Sequence, residues 1–316
     1  MGARAEQQDA FGFTDKDDED FVRHGGVVAV VADGMGGHAH GGEVSRIAVM
    51  VFLQEYMTKP EHKPIPDALH QAFNAANRAV CAFAAESGEA GNCGTTLTVA
   101  AVHPASRTLH WIATGDSRLF LYRQPQWVQV TTDTNYGNQL LTNLIHGIST
   151  DFVKDDDPQL QGLTSFLGLA ELEEIDQSIS GFTLYPNDWI VLCTDGVYNT
   201  LAKDEIVNCL TGDPNPACEQ IIEGVSAKNL KYQDNATVAI IACGFNSGSN
   251  QAASKVSKKR PLIIKLALGL LLAMAIVLTF SLGAYVGQSC GSATQIGFWV
   301  HVQSTLACLE GKLRLK

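Results

Sequence analysis

The stretch Val27–Glu43, VVAVVADGMGGHAHGGE, limits the fold more tightly than any other part of the chain. Val27, Val28, Val30, Val31 and Ala32 form a short, mostly β-branched run, the pattern of a buried strand. The run stops at Asp33, and five glycines (Gly34, Gly36, Gly37, Gly41, Gly42) follow within nine residues, with His38 and His40 among them. Glycines beside a strand-end carboxylate let other groups approach its backbone closely. Hard cations such as Mg²⁺ and Mn²⁺ take carboxylate and carbonyl oxygens as ligands. Asp-Gly is also an ordinary turn dipeptide, so this stretch alone admits both readings.

The rest of the first 244 residues alternates strand and helix patterns. Glu43–Met57 and Pro66–Ser87 have helical apolar spacing, and Gly91–Val102 reads as a turn followed by a strand. Thr108–Tyr122 is strand-like on both sides of Gly115-Asp116-Ser117-Arg118, and Trp127–Thr131 adds a short strand. Trp189–Cys193 runs into Thr194-Asp195-Gly196, helices are expected over Lys203–Leu210 and Ala217–Lys228, and Asp234-Asn235-Ala236-Thr237 opens a last strand, Val238–Cys243. Asp133–Gly168 is less regular and reads as a surface flap with small helices of its own. The acidic run Asp15–Asp20 reads as a solvated loop. Successive strands with helices set apart in pairs predict an α+β layered domain rather than a βαβ repeat.

Charge and hydropathy divide the chain again. Residues 255–316 hold eight of the 22 basic residues and one of the 33 acidic ones, leaving residues 1–254 with 14 against 32. A body that acidic argues against nucleic-acid binding and is compatible with a cation-requiring site. The eight cysteines form no Cys-x-x-Cys pair, so zinc is not expected. Phe245–Ser257 is a polar Gly/Ser/Asn/Ala-rich linker. Leu266–Val286 then contains 21 residues without a charge, against about 20 needed to cross a bilayer as a helix. Lys255, Lys258, Lys259, Arg260 and Lys265 precede it, whereas residues 287–311 carry no Lys or Arg. Positive residues stay on the cytoplasmic side. The expected organisation is therefore a cytoplasmic domain (1–244), a basic linker (245–260), a transmembrane helix (261–287) in the cytoplasmic membrane, and a short extracytoplasmic tail (288–316) whose Cys290 and Cys308 are free to pair.

Three strand-end carboxylates, Asp33, Asp195 and Asp234, and a fourth acid, Asp116, carry the chemistry. Acids gathered at one rim repel one another unless a cation lies between them. Two divalent ions about 3.5–4 Å apart are a common arrangement for hydrolysing phosphate esters. Separate turns would also account for each acid singly.

The set of motifs resembles the type-2C, metal-dependent protein serine/threonine phosphatases (the PPM family), in their bacterial branch. The matching stretches are Arg4–Ala10, Val31–Ser45, Gly94-Thr95-Thr96, Gly115–Arg118, Ser165–Leu169, Cys193–Asn199 and Gln233–Thr237. They come in the family's order and span nearly all of residues 2–243. The resemblance implies a four-layer α-β-β-α sandwich, two central antiparallel sheets flanked by helix pairs, with two Mn²⁺ or Mg²⁺ ions at one end. On that likeness Asp33 bridges both ions, the Gly34 carbonyl holds the first, and Asp195 and Asp234 hold the second. Asp9 acts through coordinated water, and Asp116 belongs to a weaker third site. Arg4 matches the arginine that grips the substrate phosphate, and His38 matches a histidine that can act as general acid. Gln8 stands where many relatives have Glu, and the arginine usual before Leu167 is missing.

The implied activity is hydrolysis of phosphoserine and phosphothreonine in proteins by a hydroxide held between the ions, without a phosphoenzyme. The expected partners are phosphorylated proteins, targets of a Ser/Thr kinase or the kinase itself. The alternatives are a catalytically weak phosphatase-like module that binds phosphoproteins, and a membrane signal relay. Loss of a metal ligand would favour the first of these, and none is lost.

Overall fold

The computed structural model describes residues 1–245, except 1, 3, 5, 37–39, 149–156 and 173, together with the strand Phe298–Leu306. Residues 246–297, which include the expected transmembrane segment, lie outside the described residues. Among those that are described, no helix is long and apolar enough to cross a membrane.

The first sheet is built on β1 (Asp9–Phe13), β2 (Val27–Gly36), β4 (Leu97–His103) and β5 (Thr108–Thr114), paired antiparallel in that order. A three-residue β3 (Cys93–Thr95) pairs antiparallel with the end of β2, and two-residue strands β8 (Asp176–Gln177) and β9 (Phe182–Thr183) both pair with β5. The second sheet runs β7 (Gln126–Gln129), β6 (Arg118–Arg123), β10 (Trp189–Cys193) and β11 (Thr237–Phe245), with β12 (Phe298–Leu306) on the outer side of β11.

Side-chain alternation explains why the strand runs are apolar throughout. Val28, Val30 and Ala32 of β2 pack under helices α2 (Gly41–Met57) and α3 (Ile65–Glu86), while Ala29 and Val31 face the other sheet. In β10, Val191 and Cys193 pack toward the helices α6 (Lys203–Cys209) and α7 (Pro214–Ala227), and Ile190 and Leu192 turn to the middle layer. Every position of such a strand meets apolar neighbours, so period-2 alternation disappears. Three buried clusters thus separate four layers, helix pair, sheet, sheet, helix pair, as the sequence predicts.

Some local expectations shift. The acidic run is not loop throughout: Asp18 accepts from the Phe21 backbone N–H and caps a seven-residue helix α1 (Glu19–Gly25). The last helix starts earlier than expected, at Pro214, where Asp213 caps it. The flap contains α4 (Tyr136–Ile145) and a short 3₁₀ turn at Pro158–Gln161. Phe298–Leu306 falls within the expected extracytoplasmic tail, yet it pairs with β11 of the main domain. A helix crossing a bilayer between 261 and 287 would put these two strands on opposite sides, so the two arrangements exclude each other.

Candidate active site

The antiparallel register places Asp9 of β1 directly opposite Asp33 of β2. Like charges facing across a strand pair are destabilising, which makes this pairing costly for the fold alone. From the second sheet come Asp195, at the start of a single turn of helix α5 (Asp195–Tyr198), and Asp234, just before β11.

Thr194 joins the two sheets here. Its hydroxyl donates to Asp9 Oδ2 at 2.9 Å and accepts from the Thr237 backbone N–H at 3.0 Å. Gln8 makes a second tie, donating its backbone N–H to Asn235 Oδ1 at 2.8 Å. The glycines allow the close approach. A Cβ on Gly34 would stand 1.9 Å from the Gly41 carbonyl oxygen, and one on Gly196 would stand 1.8 Å from the Asn235 carbonyl oxygen.

Burial and mutual repulsion both act on these acids. Burial, and then the charges of Asp9, Asp195, Asp234 and Asp116, push Asp33 well above the ordinary carboxyl range. Asp9 is pushed up to about 6 by burial, with the nearby hydroxyls of Thr237 and Thr194 opposing the rise and Asp195 and Asp234 adding to it. Asp116 is pushed up to about 6 by burial, then by Asp195 and Asp133. Asp195 rises through burial and the charge of Asp234. Oδ1 of Asp9 and Oδ1 of Asp195 are buried without a hydrogen-bond partner. Orphaned carboxylate oxygens in a group of mutually repelling acids suit a hard, oxygen-seeking cation. Among the described residues no three acidic, His or Cys side chains close around one ion by themselves. A shell completed by carbonyls and water suits Mg²⁺, which keeps several waters and needs only one or two carboxylates.

Arg4 reaches this group from the N-terminal segment, Nη2 lying 2.6 Å from Asp234 Oδ2. Asp234 first, and then Asp33 and Asp195, hold its guanidinium charged. His38 lies outside the described residues, and its neighbour His40 sits 2.9 Å from Glu43. Cys193 is wholly buried, its thiol pushed up to about 12, and cannot serve as a thiolate nucleophile at neutral pH.

Arg118 does not pair with its sequence neighbour Asp116. It forks onto Asp133 through Nε and Nη2 (3.1 and 2.7 Å) and lies 3.7 Å over the Tyr198 ring. Tyr198 in turn donates to the Asp116 carbonyl at 2.9 Å. The sequence reading assigned no role to Thr194, Tyr198, Asn235 or the buried hydroxyl pair Thr96–Ser117 (2.7 Å). All four sites lie inside the motif stretches, and a polar residue next to a strand-end acid was the available signal.

Comparison with known proteins shows the family. The family model described as Protein phosphatase 2C matches residues 3–231. Protein phosphatase PhpP of Streptococcus pneumoniae is 27% identical over 231 residues, covering 71% of this chain and 91% of its own. The crystal structure of the PPM Ser-Thr phosphatase MsPP from Mycobacterium smegmatis, in complex with cacodylate, is 26% identical with a TM-score of 0.59, covering 75% of this chain and 92% of its own. The catalytic domain of serine threonine protein phosphatase PstP in complex with 2 manganese ions superposes with a TM-score of 0.56 at 23% identity, covering 76% of this chain and 92% of its own, and shares the fold.

Proposed function

The chain belongs to the protein phosphatase 2C family, and on that premise we propose that it is a metal-dependent phosphatase of phosphoserine and phosphothreonine in proteins, opposing a Ser/Thr kinase. The observation that carries the reading is the set of acids around Asp33, which feels the charges of Asp9, Asp195, Asp234 and Asp116. Two Mn²⁺ or Mg²⁺ ions would be held by Asp33, the Gly34 carbonyl, Asp195 and Asp234, with Asp9 acting through water and Asp116 at a third, weaker site. Such ions lower the pKa of bound water and offset phosphoryl charge.

The chain's own groups do the rest. Thr194 fixes one oxygen of Asp9 and leaves the other free to orient water. Arg4 can clamp two phosphoryl oxygens through its planar fork. The same guanidinium holds Asp234 at 2.6 Å, so it neutralises that acid until phosphate competes for it. His38 is assigned the proton donated to the leaving alkoxide.

Turnover of a phosphothreonine peptide with Mn²⁺, with Mg²⁺ and with chelator, beside Asp195→Asn, tests the reading. Metal-dependent hydrolysis that is lost in the variant supports it, and metal binding without turnover supports a phosphoprotein-binding module instead.

The uncharged run Leu266–Val286 and the basic residues before it support a second proposal, a single-pass anchor with the phosphatase domain in the cytoplasm. The seat of Phe298–Leu306 on β11 speaks for the opposite arrangement. Labelling of Cys308 in intact cells by a membrane-impermeant thiol reagent decides between them. Labelling supports the anchor, and protection until the membrane is permeabilised refutes the extracytoplasmic tail.

A further inference from the structure

Resting on the phosphatase reading, we propose that the turn Asn229–Gln233 is a docking ridge for substrate residues next to the phosphorylated one, with Leu230 and Tyr232 selecting an apolar neighbour. Both side chains stand out to solvent just before Asp234: Leu230 is 50% exposed and Tyr232 83% exposed. Single exposed apolar residues are ordinary. Two within three residues, on a backbone held at both ends, are a presented surface.

The fixing of that backbone is explicit. Asn229 takes the left-handed conformation (φ 46°) and donates its N–H to the Ser226 carbonyl at 3.2 Å. Gln233 donates its backbone N–H to the Leu230 carbonyl at 3.3 Å, closing the turn. The buried Gln233 side chain donates to the Val225 carbonyl at 2.6 Å and ties the turn to the end of α7. The N-terminal segment lies directly on its far side, since a Cβ on Gly2 would stand 2.4 Å from the carbonyl oxygens of Gln233 and Asp234.

Position then defines the occupant. Tyr232 is two residues from Asp234, which holds Arg4, so its Cα lies within about 7 Å of that of Asp234. A bound polypeptide advances about 3.3–3.6 Å per residue. A side chain one or two residues from the phosphorylated one therefore reaches the ridge. Lys231 Nζ sits 4.9 Å from the centre of the Tyr232 ring and covers part of it. The open apolar surface of the ridge gains most from an aliphatic or aromatic neighbour.

The test uses the purified full chain with Mn²⁺ and three substrates: p-nitrophenyl phosphate, a phosphothreonine peptide flanked by leucines, and the same peptide flanked by alanines. Wild type should prefer the leucine-flanked peptide. Tyr232→Ala and Leu230→Ala should each lower kcat/KM on that peptide roughly tenfold through KM, with Tyr232→Phe close to wild type. Turnover of p-nitrophenyl phosphate and of the alanine-flanked peptide should hardly change. Wild type that hydrolyses all three without preference, or variants that lose activity equally on all three, overturns the ridge and leaves the phosphatase reading standing. Wild type that hydrolyses none of them overturns both.

Discussion

Gathering acids around Asp33 has a thermodynamic consequence that metal-free protein should reveal. Asp9 and Asp116 are each raised from 3.8 to about 6. A folded-state pKa above the unfolded value favours the folded protein while the group is protonated. That advantage is complete below about pH 4, and it disappears as pH rises through about 6. At about 1.4 kcal/mol per pK unit, each acid is worth about 3 kcal/mol. Asp195 contributes to both shifts, so the pair is not independent and about 4 kcal/mol is the expected total. About half of that total is lost between pH 5 and pH 8, the rest having gone below pH 5, so at about 2–4 °C per kcal/mol for a domain of this size Tm of chelated protein should fall by about 4–8 °C over that range.

Saturating Mn²⁺ should reverse the slope, because ligands must lose their protons to bind. At a hundredfold excess over Kd a single ion adds about 2.7 kcal/mol, and the gain should be greatest at pH 8 and small at pH 5. Differential scanning fluorimetry over pH 5–8, with chelator and with Mn²⁺, measures both slopes. A chelated Tm that stays level or rises over this range would refute the burial and mutual repulsion inferred for these acids.

Three substitutions probe the supports of the site. Thr194→Val removes both the donor to Asp9 and the acceptor for the Thr237 N–H; it should cost about 1–3 kcal/mol in urea unfolding and weaken Mn²⁺ binding by calorimetry. Gly196→Ala puts a methyl group 1.8 Å from the Asn235 carbonyl oxygen. The backbone has to move, so Tm should drop by several degrees and metal-dependent turnover should be lost. Arg118→Lys gives up the fork on Asp133 and the stack on Tyr198, and should destabilise by about 2 kcal/mol with charge unchanged; a stability equal to wild type would show the pairing to be incidental.

The sequence made the layers legible because the strands facing apolar neighbours on both sides carry unbroken apolar runs. Val27–Ala32 and Trp189–Cys193 could hardly be anything else. The strand-end acids were legible for a related reason, since a charge directly after such a run has to lie at the edge of the core. Less visible was anything decided by tertiary pairing. Helix α1 hid in an acidic run because Asp18 acts as its cap, and charge density alone does not distinguish a cap from a solvated loop. The two-residue strands β8 and β9 are too short to carry a period. Arg118 offered the nearest acid, Asp116, as a partner, yet chose Asp133 fifteen residues away, a choice fixed by the β6–β7 hairpin, which returns Val130 and Thr131 to Leu119.

The same limit explains how the site tolerates its own charge. No local pattern links Thr194 with Asp9 or Arg4 with Asp234, since 185 and 230 residues separate them. Yet these two contacts, one hydroxyl and one guanidinium, together with the Gln8–Asn235 tie, help to hold the acids of the two sheets together without an ion. Neither satisfies the whole set, because Asp9 Oδ1 and Asp195 Oδ1 remain without partners. A fold selected for stability alone would replace at least one of these acids with an amide or an apolar residue. Retaining them all at a cost of about 4 kcal/mol is understandable if the stabilisation is restored when cations bind.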